Sequence, residues 1–276
     1  MHVRIALNHA LSKIGYEIIK TDYKIDDRKI YSEDQRVIST FLHTLPLKNN
    51  YCVDIGASDG IISSNTLCLF KDKWSGIAVE FDSEKFARLA ATYKRFKQVN
   101  LLKTKVSPDN VVHILKSCSV PDQFAFLNLD IDGYDHYVLD QLLSQYRPML
   151  INAEINEKIP PPIKFTVTYS PAYQYRADHF FGQSISQLYE LCKSHQYSIV
   201  ELYYSNVLLI PNELNTNQSL TPEEAYDAGY RGRPDRKSKF PWNEDVEELL
   251  HVAPSEGVYF INRLFEKYKG AYLCEL

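Results

Sequence analysis

The chain has 276 residues, of which 45% are hydrophobic and 24% are charged, an ordinary composition for a globular protein with a full core. Its 31 basic and 35 acidic side chains give a formal net charge of −4, which does not favour nucleic acid or an anionic membrane as a partner. With no signal-peptide pattern, no apolar run of membrane-spanning length and five scattered cysteines, we expect a cytoplasmic protein with reduced thiols and neither disulfides nor a zinc site.

Residues 1–48 are predicted to form a helical N-terminal extension outside the main fold. The spacing of apolar residues over 5–20 is that of an amphipathic helix. The segment Ser32-Glu33-Asp34-Gln35 has the pattern of a capping box, and it predicts a second helix that runs to about His43.

From residue 49 onward, strand-like and helix-like stretches alternate, which predicts an α/β protein with a Rossmann-like, doubly wound sheet. The predicted strands lie at 51–55, 76–81, 98–106, 124–130, 149–155, 198–204 and 206–210. The predicted helices lie at about 60–70, 83–96, 108–117, 134–146 and 183–196. The last two strands have almost no link between them, and so short a link permits only an antiparallel hairpin. We therefore expect a seven-stranded sheet that is mostly parallel and ends in an antiparallel hairpin.

The predicted core spans 49–212 and is interrupted by an aromatic, proline-bearing insertion at 157–182. Because long ordered loops at this edge of a sheet often shape substrate pockets, the insertion is predicted to be a substrate lid. Its aromatic side chains either stack on a substrate ring or pack the lid onto the core. They are Tyr169, Tyr173, Tyr175, Phe180 and Phe181. Residues 213–276 are expected to form a helical C-terminal appendage.

The first strand runs into a glycine-bearing turn, Asp54-Ile55-Gly56-Ala57-Ser58-Asp59-Gly60, and the second strand ends in Glu80, 20 residues after Gly60. This arrangement is typical of a nucleotide site, since glycines let a ligand approach the backbone and a carboxylate binds ribose hydroxyls. Ser58 stands where the dinucleotide pattern has its middle glycine. The departure favours a cofactor that contains adenosine but no pyrophosphate, and S-adenosylmethionine is such a cofactor.

Two separated motifs resemble the FkbM-type S-adenosylmethionine-dependent methyltransferases. The first comprises Val53–Gly60 with Ser64–Thr66, Trp74–Gly76 and Ala78–Glu80, and the second is Leu129–His136. In the second motif, Asp132 and Asp135 stand where many members of that family have glutamate. The resemblance covers about 50–210 and implies methylation of a hydroxyl on a sugar or another small metabolite.

Together, the turn and the resemblance predict a site for S-adenosylmethionine at the carboxyl edge of the sheet. The resemblance places Ser107 and its neighbours at the adenine edge. The cofactor-binding residues are predicted to be Asp54, Gly56, Ala57, Ser58, Asp59, Gly60, Asn65, Glu80, Phe81, Ser107 and Asp130.

Four oxygen-bearing side chains lie at the carboxyl ends of the fourth and fifth predicted strands: Asp130, Asp132, Glu154 and Asn156. Because the carboxyl ends of adjacent parallel strands meet at one edge, we expect them to converge. Such a set can hold Mg²⁺, which would lower the pKa of an acceptor hydroxyl and orient its oxygen toward the methyl group. In the alternative, Asp130 binds the cofactor amino group, and the other acids cap helices or pair with basic residues.

A hydroxyl acceptor also needs a proton acceptor, for which Asp132, His136 and His179 are the candidates. An ordinary packing role is the alternative for each histidine. The basic stretch 231–239 either meets the phosphate of a nucleotide-linked sugar or is a solvated loop.

The expected function is methyl transfer to a hydroxyl of a small acceptor, a sugar or nucleotide-linked sugar. Methylation of an amine or carboxylate on the same fold, an NAD-dependent oxidoreductase and a non-catalytic domain are the alternatives. The identity of the acceptor and the oligomeric state stay open.

Overall fold

The computed structural model describes residues 33–216 and 218–276, and the helix predicted over 5–20 lies outside them. The strands are β1 (Tyr51–Ile55), β2 (Ser75–Glu80), β3 (Val99–Lys103), β4 (Phe126–Leu129), β5 (Leu150–Glu154), β6 (Lys164–Val167), β7 (Tyr197–Tyr203), β8 (Asn206–Pro211) and β9 (Tyr272–Glu275). The α-helices are α1 (Glu33–Thr44), α2 (Leu67–Lys71), α3 (Ser83–Tyr93), α4 (Val111–Ser117), α5 (Asp135–Leu143), α6 (Ile185–His195), α7 (Pro222–Tyr226), α8 (Arg236–Lys239) and α9 (Pro254–Leu264). A π-helical turn covers Asp227–Arg231, and 3₁₀ helices cover Pro241–Leu250 and Glu266–Tyr268. No helix in these ranges is both long and apolar enough to span a bilayer.

The main sheet has seven strands in the order β3-β2-β1-β4-β5-β8-β7. Strands β1 to β5 pair in parallel, and β8 runs antiparallel to both of its neighbours, β5 and β7. This confirms the predicted fold, including the hairpin at the end of the sheet. The chain leaves β1 toward β3 and returns on the other side of β1 to form β4. The point where the strand order reverses therefore lies between β1 and β4, where ligands bind in sheets of this kind.

The helix predicted over about 60–70 is much shorter in the structure, where only Leu67–Lys71 is helical. Asp59 Oδ1 accepts the backbone N–H groups of Ile61 and Ile62, each at 2.9 Å, and holds the preceding residues in a turn. Ser63 also has a positive φ of 55°. Local side-chain bonds of this kind compete with helix formation, so the segment before α2 is a series of turns at the edge of the sheet.

The insertion and the C-terminal residues share a second, smaller core that the sequence did not predict. Strand β6 of the insertion pairs antiparallel with β9, from Lys164 opposite Glu275 to Val167 opposite Tyr272. Apolar side chains beside this two-stranded sheet are buried together. They are Ile159, Ile163, Phe165, Val167, Phe180, Val246, Leu249, Ile261 and Phe265. The C-terminal segment thus ends in a strand as well as containing helices, and it holds one end of the insertion in place.

We expect Phe165→Ala to lower the free energy of unfolding by about 3–5 kcal/mol, because the ring is fully buried in this second core. Urea unfolding followed by circular dichroism measures the change. Tyr259→Ala is the control, since that side chain is 66% exposed and its loss should change the stability by about 0.5 kcal/mol or less. Equal stability of the two variants would show that the second core contributes nothing.

Candidate cofactor and acceptor cleft

A cleft of about 680 Å³ opens at the carboxyl edge of the main sheet, within the size range of small-molecule sites. Many of the predicted cofactor residues line it: Asp54, Gly56, Ala57, Ser58, Asn65, Glu80, Phe81 and Asp130. Three predicted cofactor residues do not belong to its lining: Asp59, Gly60 and Ser107. Thr104, Lys105 and Val106 line the cleft in place of Ser107. The structure therefore brings most of the predicted cofactor set together at the point where the strand order reverses.

The glycine turn lets the end of β1 lie directly against the end of β4. Gly56 has a φ of +91°, and a Cβ atom there would lie 1.6 Å from the backbone oxygen of Asp130. The N–H groups of Gly56 and Ala57 both donate to Val79 O at 3.0 Å, which ties the turn to β2 as well. No side chain fits at Gly56, so this glycine is required by the packing of three strand ends, whatever ligand the cleft takes.

Glu80 is buried at the tip of β2 and is held by two backbone donors. Ser58 N–H donates to Oε2 at 2.9 Å, and Asp82 N–H donates to Oε1 at 2.7 Å. A carboxylate has about four acceptor positions, so each oxygen keeps capacity for another hydrogen bond. The side chain is thus fixed in direction and can still accept hydrogen bonds from a ligand in the cleft.

Asp54 lies at the floor of the cleft, where its carboxylate accepts hydrogen bonds from Thr66 Oγ1 at 2.6 Å and from Asn128 Nδ2 at 2.8 Å. Burial raises the pKa of Asp54 to about 6, and the charge of Glu80 adds to this effect. The two hydrogen bonds act in the opposite direction because they stabilise the ionised form.

Carboxylate oxygens of Asp130, Asp132 and Glu154 all lie within 4.8 Å of one another, as the sequence predicted. Burial, followed by the charges of Asp132 and Asp135, raises the pKa of Asp130 to about 8. Burial and the neighbouring acids also raise the pKa of Glu154 well above its usual value. Carboxylate oxygens are the ligands that hard divalent cations prefer. Glu154 Oε2 is a buried oxygen with no hydrogen-bond partner, so it is available to a cation. The three residues therefore fit Mg²⁺ or Mn²⁺.

Asn156, the fourth predicted metal ligand, has another set of contacts. Its Nδ2 donates to the backbone oxygens of His179 and Phe181, each at 2.9 Å, and so fastens the end of the insertion to β5. Its Oδ1 is buried without a hydrogen-bond partner. Neither Asn156 nor Glu154 belongs to the lining of the cleft. A role for Asn156 as a metal ligand remains a prediction.

Of the three candidate proton acceptors, Asp132 lines the cleft and the two histidines do not. His136 Nδ1 lies 2.9 Å from Gln183 Oε1, and burial lowers the pKa of this histidine. His179 Nε2 lies 3.0 Å from Asp245 Oδ1 on the C-terminal segment. The positions of both histidines favour packing roles, and their use as a base stays a prediction.

The insertion reaches the cleft through Tyr173, Gln174 and Tyr175. Tyr173 Oη lies 2.8 Å from the backbone oxygen of Asp132 and 3.0 Å from that of Phe180, so it joins the insertion to the acidic motif. Lys105 Nζ donates to the backbone oxygen of Tyr173 at 2.8 Å. The sequence carries no signal for Lys105, because this contact joins two loops that are far apart in the chain.

Asn128 is a second residue that the sequence analysis missed. It lies on β4 opposite Asp54 and lines the cleft. An amide within the apolar run Phe126-Leu127-Asn128-Leu129 was the available signal, since a buried polar side chain needs partners.

The basic stretch 231–239 is occupied by contacts within the C-terminal segment and with the main domain at Tyr204. Arg231 forms an ion pair with Asp227, and Arg236 forms a bidentate ion pair with Glu247. Arg233 and Lys239 lie 4.2 Å and 3.7 Å from the centre of the Tyr204 ring. These contacts favour a structural role for the stretch over binding of a phosphate.

No family model and no curated protein sequence matches the chain. Solved structures similar to it include the N-terminal domain of EvdMO1 with SAH bound, with 10% identity, a TM-score of 0.43, and coverage of 75% of this chain and 96% of that one. Another is an O-methyltransferase from Bacillus cereus in complex with SAH, with 13% identity, a TM-score of 0.44, and coverage of 74% and 96%. A third is magnesium protoporphyrin IX methyltransferase from Synechocystis PCC 6803 with bound SAM, with 11% identity, a TM-score of 0.40, and coverage of 76% and 95%.

The fold assignment rests on the sheet itself. An order of 3-2-1-4-5 followed by an antiparallel hairpin strand inserted beside β5 is that of the Rossmann-like methyltransferase fold.

We expect the stability of the protein to fall as the pH rises from about 4 to about 8, because the folded pKa of Asp130 lies above its ordinary value of 3.8. In that range the folded state binds more protons than the unfolded chain, so a rise in pH favours unfolding. Asp130→Asn should raise the free energy of unfolding at about pH 8.5 by about 1–3 kcal/mol and flatten this decline.

Urea unfolding of the ligand-free protein at about pH 5 and about pH 8.5 measures the effect. The exposed Asp122 provides the control, since Asp122→Asn should leave the pH dependence of wild type unchanged. If the free energy of unfolding of Asp130→Asn fell as steeply with pH as that of wild type, the raised pKa of Asp130 would not be the cause of the decline.

Proposed function

We propose that this protein is an S-adenosylmethionine-dependent methyltransferase that acts on a hydroxyl group of a small, sugar-like molecule. The observation that carries the proposal is the buried carboxylate of Glu80, which two backbone N–H groups orient at the reversal point of a methyltransferase-type sheet. Its free acceptor positions suit the two hydroxyls of a ribose.

In this proposal the cofactor lies along the cleft from β2 to β4. The adenine lies beside Phe81, whose ring is exposed at the mouth of the cleft, and the ribose binds Glu80. The methionine end passes over Gly56 and Ser58, with its ammonium group close to Asp130. This placement uses the cleft-lining residues that follow β1, β2 and β4, and it leaves the side of the insertion for the acceptor.

The acceptor side combines an acid with aromatic and amide side chains. Asp132 presents a carboxylate, and Tyr173, Gln174 and Tyr175 line the same part of the cleft. Flat aromatic surfaces suit the apolar face of a sugar ring, while carboxylates and amides bind its hydroxyls. These side chains would orient the acceptor oxygen toward the sulfonium methyl group, exclude water, and take up the hydroxyl proton at Asp132.

We further propose that a divalent cation assists the methyl transfer. Asp130, Asp132 and Glu154 would hold it, and when bound it supplies a Lewis acid that lowers the pKa of the acceptor hydroxyl. Three carboxyl groups this close repel one another unless protons or a cation compensate their charge, and this supports a metal. The same cluster supports a second candidate function, methylation of an amine, because carboxylates bind an ammonium group and one of them can take up the proton that frees the nitrogen lone pair.

An NAD-dependent oxidoreductase has less support. The N–H group of Ser58, which a pyrophosphate would need, already donates to Glu80. Gly56 is explained by the contact between β1 and β4, without a dinucleotide.

We expect Glu80→Ala to weaken binding of S-adenosylhomocysteine by about 1–3 kcal/mol, because two ribose hydroxyls would lose their acceptor in a buried site. Isothermal titration calorimetry measures the affinity. Glu84→Ala is the matched control, since Glu84 is an exposed acid on the first turn of α3 and its loss should leave the affinity unchanged. Unchanged affinity of Glu80→Ala would remove the cofactor assignment.

Mn²⁺ should bind the metal-free protein, and Asp132→Asn should reduce that affinity about tenfold or more, since one of three carboxylate ligands loses its charge. Calorimetry after treatment with EDTA measures the binding. Asp178→Asn serves as the control, because Asp178 lies on the insertion but bonds Lys267 and Tyr268. If wild type binds no Mn²⁺, the metal is excluded, and the role of Asp132 would be that of the proton acceptor alone.

We propose that the part of the insertion at the cleft contacts the acceptor. Replacing the whole insertion would not test this contact alone, because it would also remove Phe165 and Phe180 from the second core. Tyr175→Ala is sharper, since its ring lines the cleft and is 44% exposed. It should cut methyl transfer about tenfold or more while changing S-adenosylhomocysteine affinity less than about twofold.

The measurement is S-adenosylhomocysteine release with a panel of sugars and nucleotide-linked sugars, and Tyr259→Ala is again the control. Turnover at the wild-type rate in Tyr175→Ala would mean that this part of the insertion does not contact the acceptor.

A further inference from the structure

A row of polar side chains crosses the main sheet beneath the cleft. Asp54 on β1 lies directly opposite Asn128 on β4, and Asn128 lies directly opposite Asn152 on β5. Asn206 on β8 continues the row, two positions along from the residue opposite Asn152. Asn152 is 1% exposed and does not line the cleft. Three adjacent strands thus place one carboxyl and two amides side by side in an otherwise apolar sheet.

The hydrogen bonds in this row start from the amide nitrogen of Asn152, which donates to both of its neighbours. Asn152 Nδ2 donates to Asn206 Oδ1 at 3.0 Å and to Asn128 Oδ1 at 2.8 Å. Asn65 Nδ2 donates to the same Asn128 oxygen at 3.0 Å. With two donors at its oxygen, Asn128 directs its own Nδ2 toward Asp54 Oδ1, 2.8 Å away.

The direction matters because an amide can present either end to a neighbour. If Asn128 turned over, its oxygen would face the carboxylate of Asp54, and two acceptors would be buried against each other. Its nitrogen would then face the nitrogens of Asn65 and Asn152, two donors that need an acceptor. The donors from Asn65 and Asn152 together therefore fix which end of Asn128 meets Asp54. Asn152 contributes the shorter of the two hydrogen bonds, although it lies one strand farther from the cofactor side of the cleft.

We infer that Asn152 is a positioning residue for the proposed cofactor site: it acts through Asn128 to fix the carboxylate of Asp54 at the floor of the cleft. This inference rests on the proposed function, in which Asp54 lies on the cofactor side. It assigns a role to a buried residue that neither the glycine turn nor the acidic motif includes. The polar row makes the affinity for the cofactor depend on β5 as well as on β1 and β2.

Asn152→Asp replaces the donating group with an oxygen of nearly the same shape, so its carboxylate faces the oxygen of Asn128. We expect S-adenosylhomocysteine to bind this variant about tenfold or more weakly, as measured by calorimetry. Asn152→Leu removes the donor without adding a buried charge and should weaken binding in the same direction. It keeps the test open if Asn152→Asp does not fold.

Asn243→Asp is the matched control for a loss of stability alone. Asn243 is also a buried amide, and its Nδ2 donates to Glu157 Oε1 at 2.7 Å and to the Tyr230 hydroxyl at 3.0 Å, away from the cleft. This variant should lose stability but keep the wild-type affinity for S-adenosylhomocysteine within about twofold.

A spectroscopic measurement separates positioning from general loosening. In ¹H–¹⁵N NMR spectra, the side-chain amide of Asn128 should be protected from solvent exchange in wild type and in Asn243→Asp. It should lose that protection in both Asn152 variants.

Wild-type affinity in either folded Asn152 variant would overturn the inference, as would an equal loss of affinity in Asn243→Asp. Absence of S-adenosylhomocysteine binding by wild type would overturn the proposed function instead.

Discussion

The close contact between the ends of β1 and β4 is the constraint on which the site depends. It exists because Gly56 has no side chain, so the backbone oxygen of Asp130 can occupy the space where a Cβ atom would lie. Asp54 on β1 and Asp130 at the end of β4 therefore line the same cleft. From the same turn, the N–H group of Ser58 reaches Glu80 on β2. One glycine thus brings three strand ends and their acids into a single cleft.

Collecting acids in this way has an electrostatic cost that shapes the rest of the site. Burial and mutual repulsion raise the pKa values of Asp54, Asp130 and Glu154, so their ionised forms are disfavoured. Hydrogen bonds offset the cost at Asp54, which has Thr66 and Asn128 as donors. At Glu154 one oxygen has no donor at all, and a ligand of positive charge would compensate it. A sulfonium cofactor and a divalent cation both supply such charge.

The sequence predicted the main sheet well because its strands are buried, regularly spaced and separated by helices. Glu80 could also be predicted, because it ends the second of these strands at a fixed distance from the glycine turn. Strands β6 and β9 were missed because each has four residues and the two are separated by more than 100 residues. No local pattern records such a pairing. Both strands contain aromatic residues, but the sequence does not show that these residues are buried against each other, because their contact depends on the tertiary fold.

The prediction of side-chain roles was weaker than that of positions. Asp130, Asp132 and Glu154 converge as the strand ends required, but the neighbours of His136 and His179 depend on how helix α6 and the C-terminal segment pack. The insertion likewise was expected to be one lid. Its residues from Tyr173 to Tyr175 face the cleft, whereas Phe165 and Phe180 belong to the second core.

A crystal structure of the protein grown with S-adenosylhomocysteine and Mn²⁺ would test the proposed cofactor and metal sites most directly. We expect electron density for the ribose against Glu80, for the adenine beside Phe81, and for the homocysteine end over the turn that contains Gly56. We also expect an anomalous Mn²⁺ peak among Asp130, Asp132 and Glu154. Ligand density elsewhere, or an empty cleft that accepts NAD in a parallel soak, would show that the cleft is not a site for S-adenosylmethionine.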